Sequence, residues 1–238
     1  MPPETAVIVT AYNEGDRLPA TLVALEGAFP GARVIVADDG SIDGTAHAAL
    51  QAGVELVQAP RTIGKGGAAT LAAAQLPDGA DADPGLVVVL CDGDLGQSAA
   101  ELEKLVAAVR DGRCDLAVAS FAQRLGGGFG LALSFARWAI ERLCGRRLEA
   151  PISGQRAVRG GILADVLPFA DGFGMEIGMT VDAVRAGHRV QELALELEHR
   201  ATGRSLAGFL HRGRQLADFV RVYASRSRTR KRGSLAPP

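Results

Sequence analysis

Over the first 120 residues, short apolar runs alternate with stretches whose apolar positions recur every three to four residues. The runs Ala6–Ala11, Arg33–Asp38, Val54–Gln58, Leu86–Asp92 and Asp115–Ala119 predict strands. Within them VIVT, VIVA and VVVL are apolar on both faces, the mark of a sheet covered on both sides. The intervening Asp16–Gly27, Asp43–Gly53, Lys65–Gln75 and Ser98–Gly112 predict helices. Strand–helix alternation implies parallel strands joined by right-handed crossovers. Ser41 and Asp43 suit the start of the second helix, and Ser98 with Glu101 spells a capping box for the fourth. Pro77–Pro84 reads as an acidic loop. The expected class is therefore α/β, Rossmann-like, with a single mainly parallel central sheet and helices on both faces.

Beyond Ser120 the rhythm changes. Gly126–Gly128 reads as a joint, followed by a helix over Phe129–Cys144, a strand over Ser153–Val158, a helix over Met175–Ala186 and a strand over Arg189–Leu197. A last helix is expected over Leu206–Tyr223. This half elaborates the first sheet, so residues 1–224 are expected to form one domain, with a first half to about 120 and a second from 121. Residues 225–238 then form a flexible basic tail.

Composition supports a globular chain: 238 residues, 47% hydrophobic and 22% charged. The three cysteines cannot all pair and lack zinc spacing, so a reduced, cytoplasmic chain is expected. The start has no basic region or long apolar run of a signal peptide, and no stretch approaches a membrane span. The net charge of −1 hides an asymmetry: residues 199–238 hold ten Lys/Arg and one acid, Asp218. That end is either a solubilising terminus or a weak contact for an anionic surface. No nucleic-acid partner is expected.

In open α/β sheets, ligands bind at the carboxyl ends of the strands. Here those ends read TAYNE, DDGSIDGT and CDGDLGQ, rich in acids and amides. The first turn lacks G-x-G-x-x-G, so a redox dinucleotide is disfavoured, and Gly64-Lys65-Gly66 lacks the spacing of a P-loop. A nucleotidyltransferase would place a glycine-rich loop with arginine after the first strand, where this chain has Ala11-Tyr12-Asn13-Glu14.

VIVTAYNE, VIVADDGSIDGT, GKGGAA and Asp92-Gly93-Asp94 follow the order and spacing of the family 2 glycosyltransferases, which this chain resembles over roughly residues 5–200. SGQRAV (153–158) resembles the SGFRA segment of polyprenyl-phosphate sugar transferases. FGMEIGMTVDAVRAGHRVQEL (173–193) resembles both those enzymes and the glucosyl-3-phosphoglycerate synthases. The resemblance implies a GT-A fold and transfer of a sugar from a UDP- or GDP-sugar to an acceptor, phosphate-bearing or polyprenyl-phosphate in character. It also implies a soluble synthase of the phosphoglycerate type as an alternative. A nucleotide-sugar binding module without catalysis is the reading from a different class.

Within that resemblance each motif has a chemical role and a plainer alternative. Carboxylates at a strand end suit Mg or Mn, which would stabilise the leaving diphosphate. Asp94 is the implied ligand, and Asp92 lies nearer the ribose or a metal-bound water; a capped turn before Ser98 is the alternative. Asp39 is expected to accept the ring N–H of a uracil-like base, with Ala11, Tyr12 and Glu14 lining the pocket and Tyr12 stacking; otherwise Asp39-Gly40-Ser41 is only a turn. Lys65, opening a helix, is expected beside the donor phosphates, or else is a solvated lysine. Glu176 is expected to be a desolvated carboxylate facing the acceptor, suited to act as a base, or else an ordinary helix-start acid. Arg156 is expected to recognise phosphate. His199 is expected to join Asp94 at the metal, with Arg200 or Arg204 reaching the diphosphate; His199 as a structural residue is the alternative. Among Arg124, Arg212 and Arg214, surface positions are expected. Apolar Leu131, Phe135, Trp138, Ile140 and Leu143 lie among Arg137, Arg142, Arg146 and Arg147. That helix either packs beside the acceptor cleft or touches an anionic membrane, which would make the protein peripheral at the inner face of the cell membrane.

Overall fold

The computed structural model describes residues 5–76, 85–121, 130–197 and 216–228. Seven strands form one sheet: β1 (Thr5–Ala11), β2 (Arg33–Asp38), β3 (Glu55–Gln58), β4 (Val87–Asp92), β5 (Leu116–Phe121), β6 (Arg156–Arg159) and β7 (Val190–Leu195). Their order is β3-β2-β1-β4-β6-β5-β7. All pairings are parallel except those of β6, which runs antiparallel to both β4 and β5. The helices are α1 (Leu18–Ala28), α2 (Thr45–Gln51), α3 (Lys65–Ala73), α4 (Glu103–Arg110), α5 (Gly130–Cys144), α6 (Leu163–Val166) and α7 (Met175–Arg185). Residues 216–228 are also helical and are called α8 here.

Alternation along each strand divides the core in two. Ile8, Ile35, Leu90 and Val118 face a layer built by α3, α5, α7 and α8, with Ala69, Ile140, Ile177 and Phe219 fully buried. Val7, Val9, Val36 and Val89 face α1, α2 and α4, through Leu25, Ala49 and Leu105. The sheet is thus covered on both faces, which is why its central strands carry no polar alternation.

Several local expectations are corrected. The strand foreseen over Ser153–Val158 begins only at Arg156, leaving Ser153–Gln155 as a loop at the sheet's end. The fourth helix is preceded by a 3-10 turn, Gly96–Leu102, that already contains Ser98 and Glu101. Ser98 donates to the carbonyl of Leu95 and Glu101 pairs with Lys104, so the capping box does not form. The helix reaches residue 228, so Arg226, foreseen in the tail, lies in α8 and pairs with Asp182 at 2.6 Å. The expected helix positions 206–215 and the tail from 229 lie outside the described residues.

Phe219 joins α8 to the larger core cluster with no exposure. Phe219→Ala should lower the unfolding free energy by about 3–5 kcal/mol, whereas Ile42→Ala, at a position 93% exposed, should change it by less than about 0.5 kcal/mol. Urea unfolding checks both; an equal, small effect at the two positions would mean that α8 does not contribute to the core.

Candidate active site

β2 and β3 lie on one side of β1 and β4 on the other. The strand order reverses between β1 and β4, and the crevice of such a sheet lies at their carboxyl ends. The loop after β4 turns back to α1, its Gly93 carbonyl accepting from the Thr21 hydroxyl at 2.9 Å. The register places Thr10 opposite Asp92 at those strand ends. The Thr10 hydroxyl donates to Asp92 Oδ1 at 3.1 Å, and the Gln155 amide donates to Oδ2 at 2.7 Å. Lys65, the first residue of α3, brings its Nζ 2.6 Å from Asp92 Oδ1 and 2.9 Å from Glu176 Oε1. Three candidates from distant parts of the chain thus meet in one cluster.

Burial shapes its electrostatics. Desolvation alone would push the Asp92 carboxyl up, but the Lys65 ammonium and the hydrogen bonds from Lys65, Gln155 and Thr10 outweigh it and hold that carboxyl below the usual carboxylate range. Desolvation would likewise lower Lys65, yet Asp92 and Glu176 together raise it above its ordinary value. The cluster holds one ammonium and two carboxylates, so Lys65 offers no surplus positive charge to a phosphate. That revises the expectation of a simple point charge at Lys65. Two of its three N–H donors are engaged, leaving one for a ligand. Glu176, 4% exposed, stands against an ammonium, a different setting from the lone desolvated carboxylate foreseen.

Gly154 roofs the cluster. A Cβ there would overlap the Lys65 ammonium and lie 2.7 Å from Asp92 Oδ2. Any side chain at this position would displace the pair, which gives the glycine in SGQR a steric reason.

Asp94, two residues beyond Asp92, is half-buried and makes no hydrogen bond or ion pair to another described residue. Among the described residues no three His, Cys, Asp or Glu side chains gather as a metal site. His199, the expected second ligand, and Arg204 lie outside the described residues, as do Arg124, Arg200, Arg212 and Arg214.

The second strand ends in two acids with separate duties. Asp38, fully buried, accepts from the Ser41 N–H and hydroxyl and from the Gln58 amide. Asp39 accepts from the backbone N–H groups of Ile63 and Gly64 at 2.7 and 2.9 Å, bracing the turn that launches Lys65. Burial raises its carboxyl above the ordinary value, against the opposing pull of those two N–H groups. Asn13 occupies the left-handed region at φ 55°, a conformation asparagine tolerates. Its side-chain oxygen accepts from the Ile42 N–H, and its own N–H donates to Ser41. The Glu14 and Gly15 N–H groups donate to Thr45 and Asp43, so the loops after β1 and β2 are laced together. Ala11 is buried at the strand end, Glu14 is half-buried and Tyr12 is 50% exposed.

Arg156 departs from its expected role in phosphate recognition. It is 1% exposed, and its guanidinium donates to the carbonyls of Ser153 and Pro151 and to the Thr180 hydroxyl. Desolvation lowers it to about 10. Its neighbours in register, Leu90 and Val118, belong to the α5–α7 face, so β6 points it inward. It braces the loop that carries Gly154 and Gln155. Thr10 and Gln155 were missed as site residues; once β1 is known to pair with β4, the Thr10–Asp92 register identifies the first.

Comparison with known proteins agrees with this geometry. The profile described as glycosyl transferase family 2 matches residues 6–155. The undecaprenyl-phosphate mannosyltransferase of Micrococcus luteus is 31% identical over 83% of this chain and 85% of its own. The polyprenol monophosphomannose synthase of Mycolicibacterium smegmatis is 30% identical over 84% of this chain and 79% of its own. A crystal structure of glucosyl-3-phosphoglycerate synthase from Mycobacterium tuberculosis, with Mn2+, UDP and phosphoglyceric acid, superposes with a TM-score of 0.75 at 26% identity, over 94% of this chain and 78% of that one. The sheet, its switch point and these relatives lead to one conclusion: the chain belongs to glycosyltransferase family 2 and is a glycosyltransferase with the GT-A fold.

Proposed function

We propose that the crevice takes a nucleotide-diphosphate sugar, uridine- or guanosine-based, and passes its sugar to a phosphate-bearing acceptor. The observation that carries this reading is the Lys65–Asp92–Glu176 cluster at the switch point, with the open Asp94 carboxylate beside it. Carboxylates and an ammonium with one remaining donor are suited to sugar hydroxyls, which both donate and accept. Tyr12 stacks on the base, and Asp39 accepts its ring N–H through lone pairs left by Ile63 and Gly64, with Ala11 and Glu14 lining the same pocket.

The residues present fit a divalent cation at one place. Asp94 offers a hard oxygen ligand free of other described partners, whereas Asp92 is occupied by Lys65, Thr10 and Gln155. Asp94, with His199 as a second ligand, would hold Mg or Mn, which would supply Lewis-acid stabilisation of the departing diphosphate. Arg204 is proposed at the diphosphate. A phosphate acceptor is already ionised and needs no base, so Glu176 acts by orienting the sugar. The names of the two mannosyltransferases favour a lipid-phosphate acceptor. No described helix is long and apolar enough to cross a membrane. Trp138, Leu216 and Val220 stand exposed beside Arg137 and Arg221, and this face is proposed to meet an anionic membrane peripherally.

Three outcomes follow. Asp94→Ala should cut Mn-dependent nucleotide release from GDP-mannose or UDP-glucose by about 100-fold, with an unchanged thermal midpoint; wild-type rates would remove Asp94 from the site. The Asp92 carboxyl lies lower when folded than when unfolded, so the stability it contributes is present above about pH 4 and is lost as pH falls through the folded value. The gap in unfolding free energy between wild type and Asp92→Asn should therefore narrow below about pH 4, which urea titrations at several pH values measure. Trp138→Ala together with Val220→Ser should abolish co-sedimentation with phosphatidylglycerol vesicles at low salt; undiminished binding would place the membrane contact elsewhere.

A further inference from the structure

The run that carries Glu176 begins without a cap of its own. A 3-10 turn, Gly172–Gly174, leads into α7, and neither Asp171 nor Gly174 supplies a side-chain cap. The first N–H groups of such a run need acceptors from elsewhere. One comes from α8: Asp218 Oδ2 accepts from the Phe173 N–H at 3.2 Å. The carboxylate also lies where a helical run favours negative charge, and Arg221 Nη1 holds its other oxygen at 2.8 Å.

The contact is close because glycines admit it. A Cβ on Gly172 would collide with the Asp218 carboxylate, one on Gly174 with the Val222 methyl, and one on Gly178 would lie 3.3 Å from the Arg226 guanidinium. Positions 218, 222 and 226 are successive turns of one face of α8. Gly172 in turn touches the lysine turn: a Cβ on Gly64 would lie 3.0 Å from the Gly172 Cα. Gly64 is the residue Asp39 grips, and Lys65 follows it. Asp218 therefore bears on a backbone junction that has Glu176 four residues downstream on one side and Lys65 on the other.

We infer that Asp218 is a positioning residue, which fixes the start of α7 so that Glu176 meets Lys65. The inference rests on the proposed donor site for its kinetic readout, and on the ion pair alone for a second readout. Asp218→Asn keeps a side-chain oxygen for the Phe173 N–H; Asp218→Ala removes it. The chain has few lysines, and exposed Lys104 serves as an internal reference for Lys65. Reductive methylation followed by peptide mass spectrometry gives their relative rates. Asp218→Ala should raise Lys65 labelling relative to Lys104 about fivefold, and lower kcat for nucleotide release from GDP-mannose or UDP-glucose about tenfold with donor KM within about twofold. Asp218→Asn should restore both. Trp138, the single tryptophan, lies 4.8 Å from Tyr223 of α8, so its emission reports the docking of that helix. Emission should be the same in all three proteins. Unchanged Lys65 labelling in Asp218→Ala, an asparagine variant as impaired as the alanine one, or a shift of Trp138 emission matching the kinetic loss would overturn the inference. A wild-type protein without turnover on either donor would count against the donor reading, and the labelling ratio would then decide the role of Asp218 by itself.

Discussion

An ammonium and two carboxylates withdrawn from bulk water are stable together only while each keeps its partners. Lys65, Asp92 and Glu176 meet that condition with ion pairs of 2.6 and 2.9 Å, and Thr10 and Gln155 complete the hydrogen bonding of Asp92. The cluster is where the start of α3, the end of β4 and the first turn of α7 converge. Each of these must hold its place for the charges to stay paired. Gly154 above, Asp39 behind the lysine turn and Asp218 beneath the glutamate run all act on that one requirement.

Much of this was legible in the sequence, for a physical reason. Strands covered on both faces produce unbroken apolar runs, so β1, β2 and β4 stand out, and the acids at their ends mark the crevice. The ladder of motifs identified Lys65, Asp92 and Glu176 one at a time. Their pairing was not legible, because it depends on strand order and on how α7 crosses the sheet. Arg156 shows the same limit from the other side. Its residue type suits phosphate, but the facing of the first residue of β6 is set by register with Leu90 and Val118, which no local pattern encodes. Ser98 with Glu101 matched a capping box, yet the chain had already begun a 3-10 turn at Gly96 and drew both side chains into other contacts.

Glycine is used here as space at two kinds of contact. At Gly154 it admits charged atoms from other elements to within van der Waals range of backbone. At Gly172 and Gly64 it lets two backbones touch. Such contacts transmit displacement more faithfully than side-chain packing, since there is no rotamer to absorb it.

β6 alone in the sheet runs backwards, and so its entry, not its exit, lies beside the carboxyl end of β4. The loop before the strand, residues 151–155, consequently faces the crevice, bringing Gln155 to Asp92. One side of the site is laid down by consecutive parallel units whose turns are laced to one another, while the opposite wall comes from a later loop that is braced internally by the buried Arg156 and reaches those units through Gln155. A change at Gly154 or Gln155 in that loop therefore acts directly on Lys65 and Asp92, so the one reversed strand makes the charges at the end of β4 answerable to a stretch of chain some sixty residues further on.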